Sequence, residues 1–181
     1  MATEQRSRAG GRAADLIDAL CAGVGRAVAW FALLMVLGMC AVVFLRQFAG
    51  VGWIWMQESI VWLHATLFML GAAWTLQRDE HVRVDVLYRR MTAGRRAVVR
   101  VLGTLLFLLP VCLFLLVASL DYVQDAWRFR EQSREAGGLP YPFLPILKTM
   151  IPVSMGLLVL QGLAGLLRDV SDLRGGRAPG G

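Results

Sequence analysis

The sequence predicts an all-α integral membrane protein with four transmembrane helices, both termini on the cytoplasmic side, and amphipathic helices lying in the membrane interface. Three observations predict it. Of 181 residues, 57% are apolar, more than an ordinary globular surface tolerates. The charges are clustered, leaving four long runs almost free of them. The basic residues are also distributed unequally between alternate connections, as expected of a chain sorted across a membrane.

The first run, Ala27 to Leu45, holds 19 residues without a charge and as a helix would span roughly 28 Å, close to the thickness of the hydrocarbon core. Mixed polar sequence precedes it and no small-x-small cleavage pattern follows, so it is expected to be a retained span and not a secretory signal. The "LGMC" at Leu37 to Cys40 lacks the small residue before cysteine that a lipid-anchored leader needs. The further spans are expected at residues 59–76, 101–120 and 150–167, the third interrupted by Pro110 and the fourth by Pro152. This gives a cytoplasmic segment at 1–23, a four-helix membrane domain at 24–170 and a disordered cytoplasmic tail at 171–181, where "GGRAPGG" closes the chain.

Orientation follows from Lys and Arg near the helix ends. Arg6, Arg8, Arg12 and Arg26 precede span 1; Arg78, Arg83, Arg89, Arg90, Arg95, Arg96 and Arg100 lie between spans 2 and 3; Arg168, Arg174 and Arg177 follow span 4. The opposite side has Arg46, Arg128, Arg130, Arg134 and Lys148. Both termini are therefore expected inside. The net charge of +6 is assigned to anionic lipid headgroups, not to nucleic acid. Trp53, Trp55, Trp74, Tyr122 and Trp127 fall near the predicted boundaries, where amphipathic rings favour the headgroup layer. Leu16, Leu20, Val24 and Ala27 ahead of span 1, and Val84, Leu87, Tyr88 and Met91 after span 2, follow helical spacing. Each stripe is expected to lie along the cytoplasmic surface, the alternative being simple continuation of the adjoining span.

Few residues suggest chemistry. Cys21, Cys40 and Cys112 are scattered in apolar sequence, which favours small buried hydrophobes over a disulfide framework or a zinc shell. In "RDEHVRVD", the residues Asp79, Glu80, His81 and Asp85 form a conceivable metal or acid-base set. No second histidine or cysteine completes a transition-metal shell, and the interleaved Arg78 and Arg83 suit a charge-paired seam at the membrane surface. Glu58 opens span 2, where it is either a helix-start acid or a proton carrier. His64, deeper in the same span, and Gln161 in span 4 are expected to look toward other helices. With so few histidines a haem site has little support, and no cofactor or metal is expected. Pro110 and Pro152 should bend or break their helices. Pro140, Pro142, Pro145 and Pro152 stiffen the apolar loop "GGLPYPFLPILKTMIP", and a rigid apolar rim at Leu139, Pro140, Tyr141, Pro142 and Phe143 is either a docking surface or a lid on its own bundle.

The order of these features resembles the small membrane subunit, DctQ type, of tripartite ATP-independent periplasmic (TRAP) transporters. The resemblance rests on a first span ending in Arg46; on "QESIVWLHATLFMLGAAWTLQRDEHVRVDVLY" with its Arg-x-x-His-Val-x-Val-Asp exit; and on Pro152 followed by Gly156 in the last span. It covers roughly residues 24–170. Gln57 stands where an acidic partner of Glu58 is often found. The resemblance implies a non-catalytic subunit in a bacterial inner membrane. Its partners would be a large sodium-coupled elevator subunit, a periplasmic substrate-binding protein and membrane lipids, in uptake of an organic acid or related solute. It implies assembly roles for Arg46, Glu58, Trp62, His64, Trp74, Arg78, His81, Asp85, Pro152 and Gln161. The rival expectation from the residues alone is a self-sufficient proton-coupled exporter using Glu58 or His64; no phosphate-binding loop or nucleophile arrangement supports an enzyme.

Overall fold

The computed structural model describes residues 2–78 and 93–175, and side chains within 14–78, at 95 and within 98–170. The described residues are helical apart from short connections, with no strand among them. In chain order they form α1 (Ala2–Phe48), α2 (Ile54–Gln77), α3 (Ala93–Gly103), a π-helical stretch (Thr104–Leu108), α4 (Leu109–Arg128) and α5 (Phe143–Gly175). Four of the resulting rods are long and apolar enough to cross a membrane, at Ala14–Phe48, Ile54–Gln77, Val98–Arg128 and Phe143–Val170. The four expected spans are therefore present, each longer than its charge-free run.

The first rod differs from the sequence expectation. The stripe ahead of span 1 belongs to α1 without a break, and at 47 residues the helix is roughly 70 Å long, about twice the hydrocarbon thickness. Its packed edge is not the leucine stripe. Ala14, Cys21 and Val28 are buried, seven residues apart, while Leu16 and Leu20 point outward. Small side chains on that edge let α1 lie close to its neighbours, which bulky leucines would prevent. The far end differs too, since α5 continues to Gly175 where a tail was expected from residue 171. The second amphipathic stripe, Val84 to Met91, lies outside the described residues.

The helix α5 is the hub: it packs along α1, α2, α3 and α4, and α1 packs along α2. The contacts are made largely by small residues. Ala73, Ala126 and Ala164 are essentially inaccessible, while large apolar side chains such as Phe68, Phe107 and Phe114 face outward. That inversion suits a lipid-facing surface, where helix association relies on close backbone approach and not on sequestering leucines from water. At Gly25 a Cβ would lie 2.5 Å from the Trp74 ring, an approach only glycine permits, and at Gly162 it would lie 2.6 Å from the Leu108 Cδ2, which would have to turn aside. Cys21 and Cys112 are buried as expected, but Cys40 is exposed on the outer face of α1.

Both prolines are accommodated without breaking a rod. Just before Pro110 the backbone widens to a π-helical stretch, with the Leu109 N–H donating to the Thr104 carbonyl. Proline has no N–H to donate and its ring crowds the carbonyl four residues back, so a widened turn absorbs it. Pro152 lies within α5, flanked by hydroxyls that fold back onto the backbone: Thr149 Oγ1 to the Pro145 carbonyl at 2.7 Å and Ser154 Oγ to the Ile151 carbonyl at 2.8 Å. Such side-chain bonds help a bilayer helix tolerate proline.

Candidate functional site

Polar residues gather at the two ends of the bundle. At one end, the connection between α4 and α5 folds back over α2 and is held there by Glu58. Glu58 Oε1 accepts from Ser133 Oγ, and Glu58 Oε2 accepts from the Leu139 backbone N–H at 2.6 Å. The Trp55 N–H donates to the Gly137 carbonyl at 3.1 Å, and the Ser133 N–H to the Leu139 carbonyl at 3.2 Å. The connection turns through Gly137, whose φ of +81° favours glycine. At Gly138 a Cβ would come within 2.7 Å of Glu58 Oε2.

Aromatic residues fasten the rest of this end. Trp62 Nε1 donates to the Phe143 carbonyl at 2.9 Å, with the two rings edge to face at 6.3 Å. Trp127 Nε1 donates to Thr149 Oγ1 at 3.0 Å and its ring meets Tyr141 edge to face. Lys148 forms an ion pair with Glu131 and lies 3.8 Å from the centre of the Tyr122 ring. Beneath the connection is a cleft of about 630 Å³, walled by Val61 and Trp62 of α2, Tyr122 of α4 and Leu144 and Leu147 of α5, with Glu58, Glu131, Arg134 and Lys148 at its polar rim. Of the expected docking residues, Pro140, Tyr141 and Phe143 are exposed while Leu139 and Pro142 are half-buried. The segment is thus fastened to its own bundle and still presents an apolar edge.

The opposite end is tied by charge. Asp18 of α1 accepts from Gln161 Nε2 at 2.9 Å and pairs with Arg168, both on α5. Arg168 also donates to the Ala14 carbonyl at 3.3 Å, and Gln77 Nε2 of α2 donates to the Asp18 carbonyl at 3.2 Å. Three helices therefore meet at Asp18. A bidentate pair, Arg100 Nε and Nη2 to Asp169 at 2.6–3.1 Å, joins α3 to α5. The planar guanidinium fork matches a carboxylate, so the pair sets the geometry as well as the attraction.

Gln161 faces another helix, as expected, at 3% exposure. His64 does not. The buried residues of α2 are Ile60, Thr66 and Ala73; at 100° per residue His64 stands about 40° from Ile60 and, with Val61 and Phe68, on the side away from Thr66 and Ala73, and His64, Val61 and Phe68 are all exposed. Trp74 packs against Gly25, and the exposed Arg78 guanidinium stacks on the Trp74 ring at 4.4 Å. Arg46 lies in the last turn of α1 and is exposed, and Pro152 is half-buried within α5. His81 and Asp85 lie outside the described residues, together with Asp79 and Glu80. Sequence reasoning missed Asp18, Arg168, Ser133 and the backbone of Leu139 as tie points. An acid inside an otherwise apolar helical edge (Ala14, Asp18, Cys21) was the available signal for Asp18.

The fold and its ties define a four-span helical membrane protein whose polar side chains mostly fasten helix ends and the α4–α5 connection. Residues 35–172 match the family model for the DctQ component of tripartite ATP-independent periplasmic transporters. The match covers well over half the chain, and the chain belongs to this family. Neither the curated proteins nor the solved structures gave a match.

Proposed function

We propose that this chain is the non-catalytic small permease subunit of a TRAP-type secondary transporter in a bacterial inner membrane, with both termini cytoplasmic. It enlarges the fixed scaffold beside a large sodium-coupled elevator subunit and offers its 139–143 edge to the periplasmic substrate-binding protein, for uptake of an organic acid or related solute. Beyond family membership, the observation that carries this reading is Glu58. Both carboxylate oxygens are engaged by the α4–α5 connection, which suits an anchor and disfavours a proton carrier that must release its partners each cycle.

Reconstitution tests it. Sodium-loaded gradients should drive solute uptake only when this chain, its large subunit and the binding protein are present together in proteoliposomes with the correct solute. Transport by the purified chain alone, or full transport by the large subunit without it, would remove the proposal.

A further inference from the structure

The imidazole of His64 is out of place. It lies ten residues into a 24-residue helix, roughly 15 Å from the end and so near the middle of the bilayer. It is exposed, and among the described residues it makes no hydrogen bond and its ring lies 6.2 Å from that of Phe68. Thr66 Oγ1 donates to the Trp62 carbonyl and Ser119 Oγ to the Leu116 carbonyl within their own helices, and Gln161 Nε2 reaches Asp18 while its buried Oε1 has no partner among the described residues. A hydrogen-bonding ring facing hydrocarbon is costly, and such groups face protein or water.

Gln57, Val61, His64 and Phe68 share one exposed side of α2 at spacings of four, three and four residues. That is the seam one further helix packs along. The comparable outer faces of α1 (Leu33, Val36, Leu37) and α4 (Phe114, Val117) are apolar and exposed, and lipid tails satisfy them.

Resting on the proposed function, we infer that the Val61–His64–Phe68 face of α2 is the surface that receives the large subunit, through one of its transmembrane helices, with His64 hydrogen-bonded to a polar side chain or a freed backbone carbonyl on it. The neighbouring Val61 and Phe68 supply the packing that aligns the bond. An interhelical bond of this kind adds modest affinity but fixes register, because an unpaired imidazole at that depth penalises every other alignment.

The test uses the full chain co-expressed with its large subunit, with benzoylphenylalanine placed in turn at Val61, His64, Phe68, Val36 and Phe114. Irradiation should give an adduct of this chain with the large subunit from the three α2 positions and none from Val36 or Phe114. Co-purification of the two subunits with adducts only from Val36 or Phe114 would overturn the inference and leave the proposed function standing. Adducts at twice the chain's own mass would place a second copy on the face, and no protein adduct from any α2 position would leave it to lipid; either overturns the inference. Failure of the subunits to co-purify would instead count against the proposed function itself. In the same system His64→Phe should lower recovery of the large subunit by about three- to tenfold and His64→Gln, which keeps a donor and an acceptor, should restore most of it; equal recovery from both would argue against the hydrogen bond.

Discussion

Leu139 donates its backbone N–H to the Glu58 carboxylate at 2.6 Å across 81 residues of sequence. With the Ser133 hydroxyl on the other oxygen, this makes the first turns of α2 the mooring of the whole α4–α5 connection. A carboxylate that accepts from a backbone amide in a half-buried place forms one of the stronger kinds of hydrogen bond.

Glu58→Ala should therefore destabilise the protein by about 1–3 kcal/mol, because it leaves the Leu139 N–H and the Ser133 hydroxyl without their acceptor. Glu58→Gln should cost much less. Its carbonyl oxygen can still accept from Leu139, and its amide can donate to the Ser133 hydroxyl, which accepts as readily as it donates. Thermal unfolding in detergent, together with cleavage by a protease within 131–139, checks the order. Transport separates this from a proton carrier: the anchor leaves Glu58→Gln active, whereas a proton carrier predicts it stable and inactive.

The two glycines of the same connection should respond to alanine for different reasons. At Gly138 a Cβ would lie 2.6 Å from Ser133 Cβ and 2.7 Å from Glu58 Oε2, so Gly138→Ala must push the mooring apart, at about 1–3 kcal/mol. Gly137 has open space around its Cβ position but a φ of +81°, so Gly137→Ala carries backbone strain of about 1–2 kcal/mol and leaves the Glu58 contacts in place. Unfolding of both variants in a Glu58→Ala background separates them: the Gly138 cost should shrink there, and the Gly137 cost should persist.

At the basic end, Asp18 receives Arg168 and Gln161 from α5. Arg168→Ala should lower stability by about 1–3 kcal/mol, since a half-buried carboxylate loses its charged donor, and the exposure of Arg168 keeps the figure below that of a sealed ion pair. Exchanging the charges, Asp18→Arg with Arg168→Asp, should recover part of the loss. A double-mutant cycle on thermal unfolding measures the coupling, and a value near zero would show the pair to be incidental.

Span number and span position were legible in the sequence because charge-free length and composition are properties of the chain itself, whereas the packing role of the small residues emerged only from the structure. Glu58 was legible only as a choice between two roles, since its partners stand 75 and 81 residues away and one of them is a backbone amide that has no residue type. The direction of His64 was not legible either. The rule that polar groups avoid lipid led to an expected neighbour for His64, whereas among the described residues Gln57, Val61, His64 and Phe68 lie on an exposed side of α2. The unbroken α1 was legible only as the alternative to a separate surface helix, because periodicity marks an amphipathic stretch but does not say whether a hinge separates it from the span that follows.

The 139–143 edge separates anchoring from docking. The indole of Trp62 holds the Phe143 carbonyl at 2.9 Å, so Trp62→Phe should cost about 1 kcal/mol of stability while leaving the exposed apolar edge chemically unchanged. Tyr141 is 40% exposed, and among the described residues its ring meets Trp127 edge to face while its hydroxyl makes no hydrogen bond. Tyr141→Ala should cost little stability, yet it should weaken binding of the periplasmic protein to the reconstituted complex by about three- to tenfold, as the loss of an exposed aromatic anchor does. Titration of the labelled binding protein onto the complex in nanodiscs, alongside thermal unfolding of each variant, gives both quantities. If affinity simply follows stability across the two variants, the edge is a lid on its own bundle; if Tyr141→Ala lowers affinity alone, it is the docking surface.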